Sequence, residues 1–186
     1  MMGTCRLTEQ TKLYLTQFYT ILDEMECGMT TAELSESISH NFIVQMIPHH
    51  RAAIEMSENL LKHPTCAPLY RIASGIITAQ EQSIEAMQAI LPKCSERCNS
   101  KQELALYQRR TERILSTMFD AMGGAPETNC IDTNFMREMI PHHEGAVRMS
   151  ENALKYDICP ELRPILCTII KLQRRGIREM QALLRA

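Results

Sequence analysis

The sequence predicts an all-α protein: a helical bundle of two antiparallel three-helix repeats around a pseudo-twofold axis. Three observations carry that reading. Long Leu/Ile/Met/Ala/Glu/Gln/Arg runs recur with few β-branched clusters, and glycine is sparse, 7 in 186 residues. Apolar residues follow helical spacing; on a wheel of about 100° per residue Phe42, Met46, Ala53 and Leu60 share one narrow sector. Finally, the pentapeptide Met46-Ile47-Pro48-His49-His50 returns as Met139-Ile140-Pro141-His142-His143, an offset of 93 residues.

The same offset holds without a gap along most of the chain. Tyr14 maps to Tyr107, Ile21-Leu22 to Ile114-Leu115, Phe42 to Phe135, Ser57-Glu58-Asn59 to Ser150-Glu151-Asn152, and Met87-Gln88-Ala89 to Met180-Gln181-Ala182. Such a match points to tandem duplication, with repeats of about 5–93 and 98–186. Neither half holds enough core alone, so residues 1–186 are expected to form a single compact domain.

Each half reads as three helices. The first spans Thr8–Cys27 or Ser100–Met122 and carries Leu13, Leu15, Phe18, Ile21, Leu22 and Met25, with Gly28 or Gly123-Gly124 as the stop. The second spans Ser37–Lys62 or Asp132–Lys155, with Ser39 and Asp132 as equivalent N-cap types. The third spans Ala67–Leu91 or Pro160–Leu184, and Pro68 and Pro160 are tolerable in a first turn. Pro48 and Pro141 fall inside the second-helix pattern. They predict a kink ahead of each His pair, or else a helix that begins at the proline; the Phe42/Met46 spacing, which continues into the His face, favours the kink.

Composition narrows the function. A net charge of −2 offers no case for nucleic acid or an acidic membrane surface. No apolar run reaches the ~18 residues of a transmembrane helix. Met1-Met2-Gly3-Thr4-Cys5 carries no charged-then-apolar leader, which predicts no signal peptide within this chain; the doubled Met is equally compatible with a trimmed one. No Ser/His/Asp arrangement or phosphate-cradling glycine loop supports a hydrolase or a nucleotide enzyme.

Four of the six histidines lie in the two pentapeptides, at the edges of the apolar arc, so all four are expected to be at least partly buried. A buried imidazole needs both nitrogens served, or one left for a ligand. Met46 precedes His49 by three and His50 by four, one helical turn away. Imidazole with thioether favours Cu(I), and His pairs also take Cu(II) or Zn(II). The candidate metal ligands are Met46, His49, His50, Met139, His142 and His143, with Met56 and Met149 in a second rank. Gln80 and Gln173, each on the apolar stripe of a third helix, are expected to pair with imidazoles across the bundle. Met87 and Met180 read as core filler.

These residues resemble the bacterial family known as domain of unknown function 305. Its signature is an Asp-x-x-Phe opening, a Met-Ile-Pro-His-His core and a late Gln-x-x-Glu-Ile-x-x-Met helix. Asp132-x-x-Phe135 matches the opening and Ser39-x-x-Phe42 departs from it at the first position. Gln80, Ile84 and Met87, and Gln173, Ile177 and Met180, match the late helix, but its Glu is Ser83 in one half and Gly176 in the other. The resemblance implies a ferritin-like bundle, commonly exported, with CopM-type copper-binding proteins among its members. The missing Glu argues against carboxylate-dependent metal chemistry and leaves His and Met sites untouched.

The function expected is therefore non-catalytic copper binding or sequestration. The alternative is a structural or protein-interaction bundle, a homodimer through its first helices, whose His and Met residues are core. A ferritin-like redox enzyme should show Glu-x-x-His on a helix, and no such spacing precedes these histidines. Eight cysteines are a heavy load for a reduced compartment, which together with the family favours an exported or cell-envelope location. Cys5 maps to Cys98 and Cys66 to Cys159, and the up-down-up order places each of Cys5–Cys66 and Cys98–Cys159 at one end, predicting two symmetric disulfides. Cys167 reads as buried; His40 and His63 read as solvated helix ends.

Overall fold

The computed structural model describes residues 6–186, all of the ordered structure being helical: α1 (Glu9–Thr30), α2 (Ile38–Leu61), α3 (Ala67–Ser95), α4 (Lys101–Gly123), α5 (Ile131–Ala153) and α6 (Leu162–Arg185). Helices α2 and α5 are central. Each packs against the other two helices of its own half, α2 meets α5 across the middle, and α3 meets α6. This is the pattern expected of two three-helix repeats.

The repeated polar residues explain how each half is sewn together. Asn59 of α2 donates Nδ2–H to the Tyr14 carbonyl of α1 at 3.0 Å, and Asn152 of α5 does the same to Tyr107 of α4 at 3.1 Å. Before α2, the Asn41 side chain takes the Ser35 amide; before α5, Asn134 takes that of Thr128. The core between is aliphatic and methionine-rich, with Phe18, Phe42, Phe135, Met46, Met139, Met56 and Met149 essentially inaccessible. Met87 and Met180 pack in it as expected. Leu13 does not: with its repeat equivalent Leu106 it stands exposed on the outer face.

Several boundaries differ from the sequence reading, for physical reasons. Gly28 does not stop α1, which runs on to Thr30. It instead admits Pro48, whose Cβ would lie 2.9 Å from a Cβ at position 28. Helix α2 passes through Pro48 and α5 through Pro141 without a break, so neither helix begins at its proline. The α2 N-cap is Ser37, whose hydroxyl takes the His40 amide, and Cys130 occupies that place in α5. Ser39 and Asp132 work across the halves instead. Ser39 accepts from the Cys159 amide at 2.8 Å ahead of α6, and Asp132 from the Cys66 amide at 3.0 Å at the start of α3.

The cysteines also differ. Helix α3 continues one turn past Leu91 to Ser95, which buries Cys94 against the start of α6. The disulfide is therefore Cys94–Cys159, and Cys98 lies exposed in the linker beyond. Cys98 and Cys159 do share one end of the bundle, but the longer helix delivers Cys94 first. The Cys5–Cys66 pairing lies outside the described residues. Cys167 is exposed on α6 rather than buried. His40 and His63 are half-buried and bonded: His40 to the Ser95 hydroxyl and the Glu33 carbonyl, His63 to Gln10.

Candidate metal centre

Helices α2 and α5 meet at their histidines. His49 and His142 are buried, and each Nε2 faces the backbone carbonyl of the other, at 3.2 and 3.0 Å. Their rings stack with centroids 3.7 Å apart. A carbonyl only accepts hydrogen bonds, so Nε2 of each ring must carry the proton. The tautomer follows: each Nδ1 holds a bare lone pair. Both Nδ1 atoms are buried without a partner, as are those of His50 and His143.

The outer histidines lie one residue on along each helix. His50 lies 5.9 Å from His49 between ring centroids, and His143 lies 5.9 Å from His142, each pair tilted by 54°. His50 and His143 reach between α3 and α6, where they line a groove of about 710 Å³ with walls that include Ile72, Ile76, Ile165 and Ile169. The halves diverge there. His50 Nε2 bonds to the Ser83 hydroxyl at 3.0 Å. The equivalent position is Gly176, where an added Cβ would lie 3.0 Å from His143 Cδ2 and Nε2.

Charge is excluded from this cluster. Burial and the adjacent imidazoles hold His49 and His143 well below the ordinary histidine range, while burial chiefly pushes His50 to about 3 and His142 to about 4. All four are thus neutral near pH 7, the form a metal requires. Met46, Met139, Met56 and Met149 are buried in the same core. Gln80 and Gln173 line the groove as placed by the sequence, but neither bonds an imidazole; Ser83 takes that role, and both Oε1 atoms are left without partners.

Two features escaped the sequence reading. Glu138 is buried in α5 and accepts from the Tyr14 hydroxyl at 2.5 Å, and burial raises its carboxyl to about 8. Its repeat equivalent, Gln45, carries no charge and bonds to the Met29 carbonyl, so the repeat itself hid the pair. Among the described residues, the sole convergence of three His, Cys or carboxylate ligand atoms is Cys94, Cys159 and Glu161. Its two sulfurs are joined as the disulfide. At the histidine cluster no such trio converges, so a bound ion there would draw on one or two imidazoles.

Imidazole nitrogen suits a borderline or soft metal better than a hard one. No helix among the described residues is long and apolar enough to cross a membrane. No curated protein matches the chain. Among solved structures, CopM in the Ag-bound form obtained by soaking is 28% identical, with TM-score 0.59, covering 79% of this chain and 94% of its own. CopM in the Cu(II)-bound form is likewise 28% identical, with TM-score 0.60, covering 79% and 95%. A fragment from Deinococcus radiodurans, 23% identical with TM-score 0.57 over 79% and 95%, shares the fold. The family model described as domain of unknown function, DUF305, matches residues 39–184, and this chain belongs to that family.

Proposed function

We propose that this protein binds and holds copper without turning it over, through His49, His50, His142 and His143 with Met46 and Met139 as sulfur donors. Met56 and Met149, buried in the same core, are sulfur donors of second rank. The observation that carries the reading is the set of four buried, neutral imidazoles whose Nδ1 atoms have no partner. An unpaired buried polar nitrogen is destabilising by about 1–3 kcal/mol, and four clustered in one core are hard to reconcile with structure alone. An ion held by one or two of these imidazoles would satisfy part of the set, and filling all four takes more than one ion. Cu(I) suits imidazole and thioether at low coordination, and the silver-bound CopM structure concerns an ion of the same soft class. The disulfide fits an oxidising, exported or envelope location.

The test is copper loading, aerobic and under reducing conditions, after alkylation of the free thiols with N-ethylmaleimide, followed by metal analysis of the desalted protein. Zn(II) serves as the competing ion. Wild type should retain Cu(I), and a His49/His50/His142/His143 quadruple Ala variant of matched helical content should not. Equal retention by both would refute the site. The second reading, an interaction bundle, rests on Leu13 and Leu106, exposed at equivalent places on α1 and α4. It predicts a dimer in sedimentation that Leu13→Glu/Leu106→Glu dissociates, and no retained copper.

A further inference from the structure

The two halves differ where the outer histidines meet the α3/α6 groove. In the first half the Ser83 hydroxyl holds His50 Nε2 at 3.0 Å. In the second the side chain is missing: Gly176 offers no bond, and His143 Nε2 has neither a hydrogen-bond partner nor a place among the sealed, unpaired polar atoms. It therefore reaches the groove surface. His49 and His142 are closed off, their Nε2 atoms spent on each other's backbone and their ring centroids 3.7 Å apart in a tilted pair. Of the four imidazoles, only His143 presents a free nitrogen on its outer side.

The groove leads to that nitrogen. It is open to solvent between α3 and α6 and floored by His50 and His143, with Gln80 and Gln173 beside them. We propose that this groove is the entry port for a soft monovalent cation, and that His143 is its first ligand, with His50 withheld by Ser83. The proposal rests on the copper-binding reading and adds an order of events to it. A cation that lands on His143 Nε2 needs no protein bond to break, whereas landing on His50 requires the Ser83 contact to open. A neutral His143 that offers Nε2 carries its proton on Nδ1, so transfer inward is to His49 and His142, whose Nδ1 atoms hold bare lone pairs.

Two substitutions exchange the halves. Gly176→Ser supplies at His143 the hydroxyl that Ser83 supplies at His50, and Ser83→Gly removes it. The 3.0 Å approach means the His143 ring must shift by a few tenths of an ångström in the first variant, a change that matched helical content and melting would show to be tolerated. One readout needs no metal: carbethoxylation by diethyl pyrocarbonate, mapped by peptide mass. In the wild type His143 should react several-fold faster than His50, with His49 and His142 slowest. Gly176→Ser should bring His143 down to the His50 rate, and Ser83→Gly should bring His50 up.

The second readout is the rate at which thiol-alkylated protein takes Cu(I) from its bicinchoninate complex. Gly176→Ser should slow it several-fold while leaving the copper retained at equilibrium unchanged. Equal reactivity of His50 and His143, or an uptake rate indifferent to Gly176→Ser, overturns the port while leaving copper binding standing. A wild type that takes no copper overturns both.

Discussion

The buried titratable groups make the metal-free protein's stability depend on pH in a shape that is calculable. The four core histidines have folded pKa values below the unfolded one of about 6.5, so the folded state binds fewer protons. Their stabilisation is present above pH 6.5 and is lost as the pH falls below it. Glu138 has the opposite sign. Its folded value of about 8 lies above the unfolded one, so its contribution is complete below pH ~4.5 and is lost as the pH rises through about 8. From pH 6.5 to 5.5 each histidine forfeits about 1 kcal/mol, about 4 in all, and Glu138 returns about 1.3, a net loss of about 3 kcal/mol. From pH 6.5 to 7.5 the histidines regain about 1.4 kcal/mol and Glu138 gives up about 1.2, so stability is flat. Glu55, raised, and His63, lowered, act in opposing senses and are more solvated, so neither sets the profile. Urea unfolding followed by far-ultraviolet circular dichroism, on metal-free protein with its disulfide intact, reads the curve. Glu138→Gln should turn the plateau into a rise of about 1.4 kcal/mol and steepen the acid limb to about 4. A wild-type change under about 1 kcal/mol between pH 6.5 and 5.5, or an unchanged profile in the variant, would falsify the assignment of buried neutral imidazoles and a buried protonated carboxyl.

The unpaired Nδ1 atoms predict that the site works against the metal-free fold. His49→Leu/His142→Leu removes two such atoms at similar volume, so metal-free stability should hold or rise by about 1–2 kcal/mol in urea unfolding while copper retention falls. A loss beyond about 3 kcal/mol would mean the imidazoles are structural after all. The Cys94–Cys159 bridge, spanning a sequence separation of 65, predicts a loss of about 4 kcal/mol in Cys94→Ser by chain entropy, with Cys98→Ser silent in the same unfolding assay.

Much of the fold was legible because it is written in periodicity. The 3.6-residue apolar spacing around Phe42 and Phe135, and the 93-residue offset, fix six helices and their pairing, since a helix buries its stripe whatever its neighbours. The buried positions of the four histidines follow from the same wheel. What periodicity cannot supply is where a helix ends against another. Whether α3 stops at Leu91 or Ser95 is decided by tertiary packing over one turn, and that turn determines which cysteine meets Cys159. Ser39 and Asp132 have cap chemistry that the sequence shows, but the helices they serve belong to the other half, a pairing with no local signal.

The deviations from the repeat carry functional information that the repeat itself does not. Where the halves agree, the residues mostly do what any bundle needs: Asn59 and Asn152 tie helices, and Phe42 and Phe135 fill the core. Two of the differences lie against the polar core. Glu138 replaces Gln45 and gains the Tyr14 hydroxyl, whereas the Tyr107 hydroxyl is left buried and unpaired. Gly176 replaces Ser83 and uncovers His143. Both family positions lacking the expected Glu are thus in contact with an outer histidine. A carboxylate there would hold each imidazole by a charge-assisted bond; a hydroxyl holds it weakly, and glycine releases it. Ser83 and Gly176 make the two outer histidines unequal, and in the proposed copper site that inequality would give an incoming ion a direction to travel.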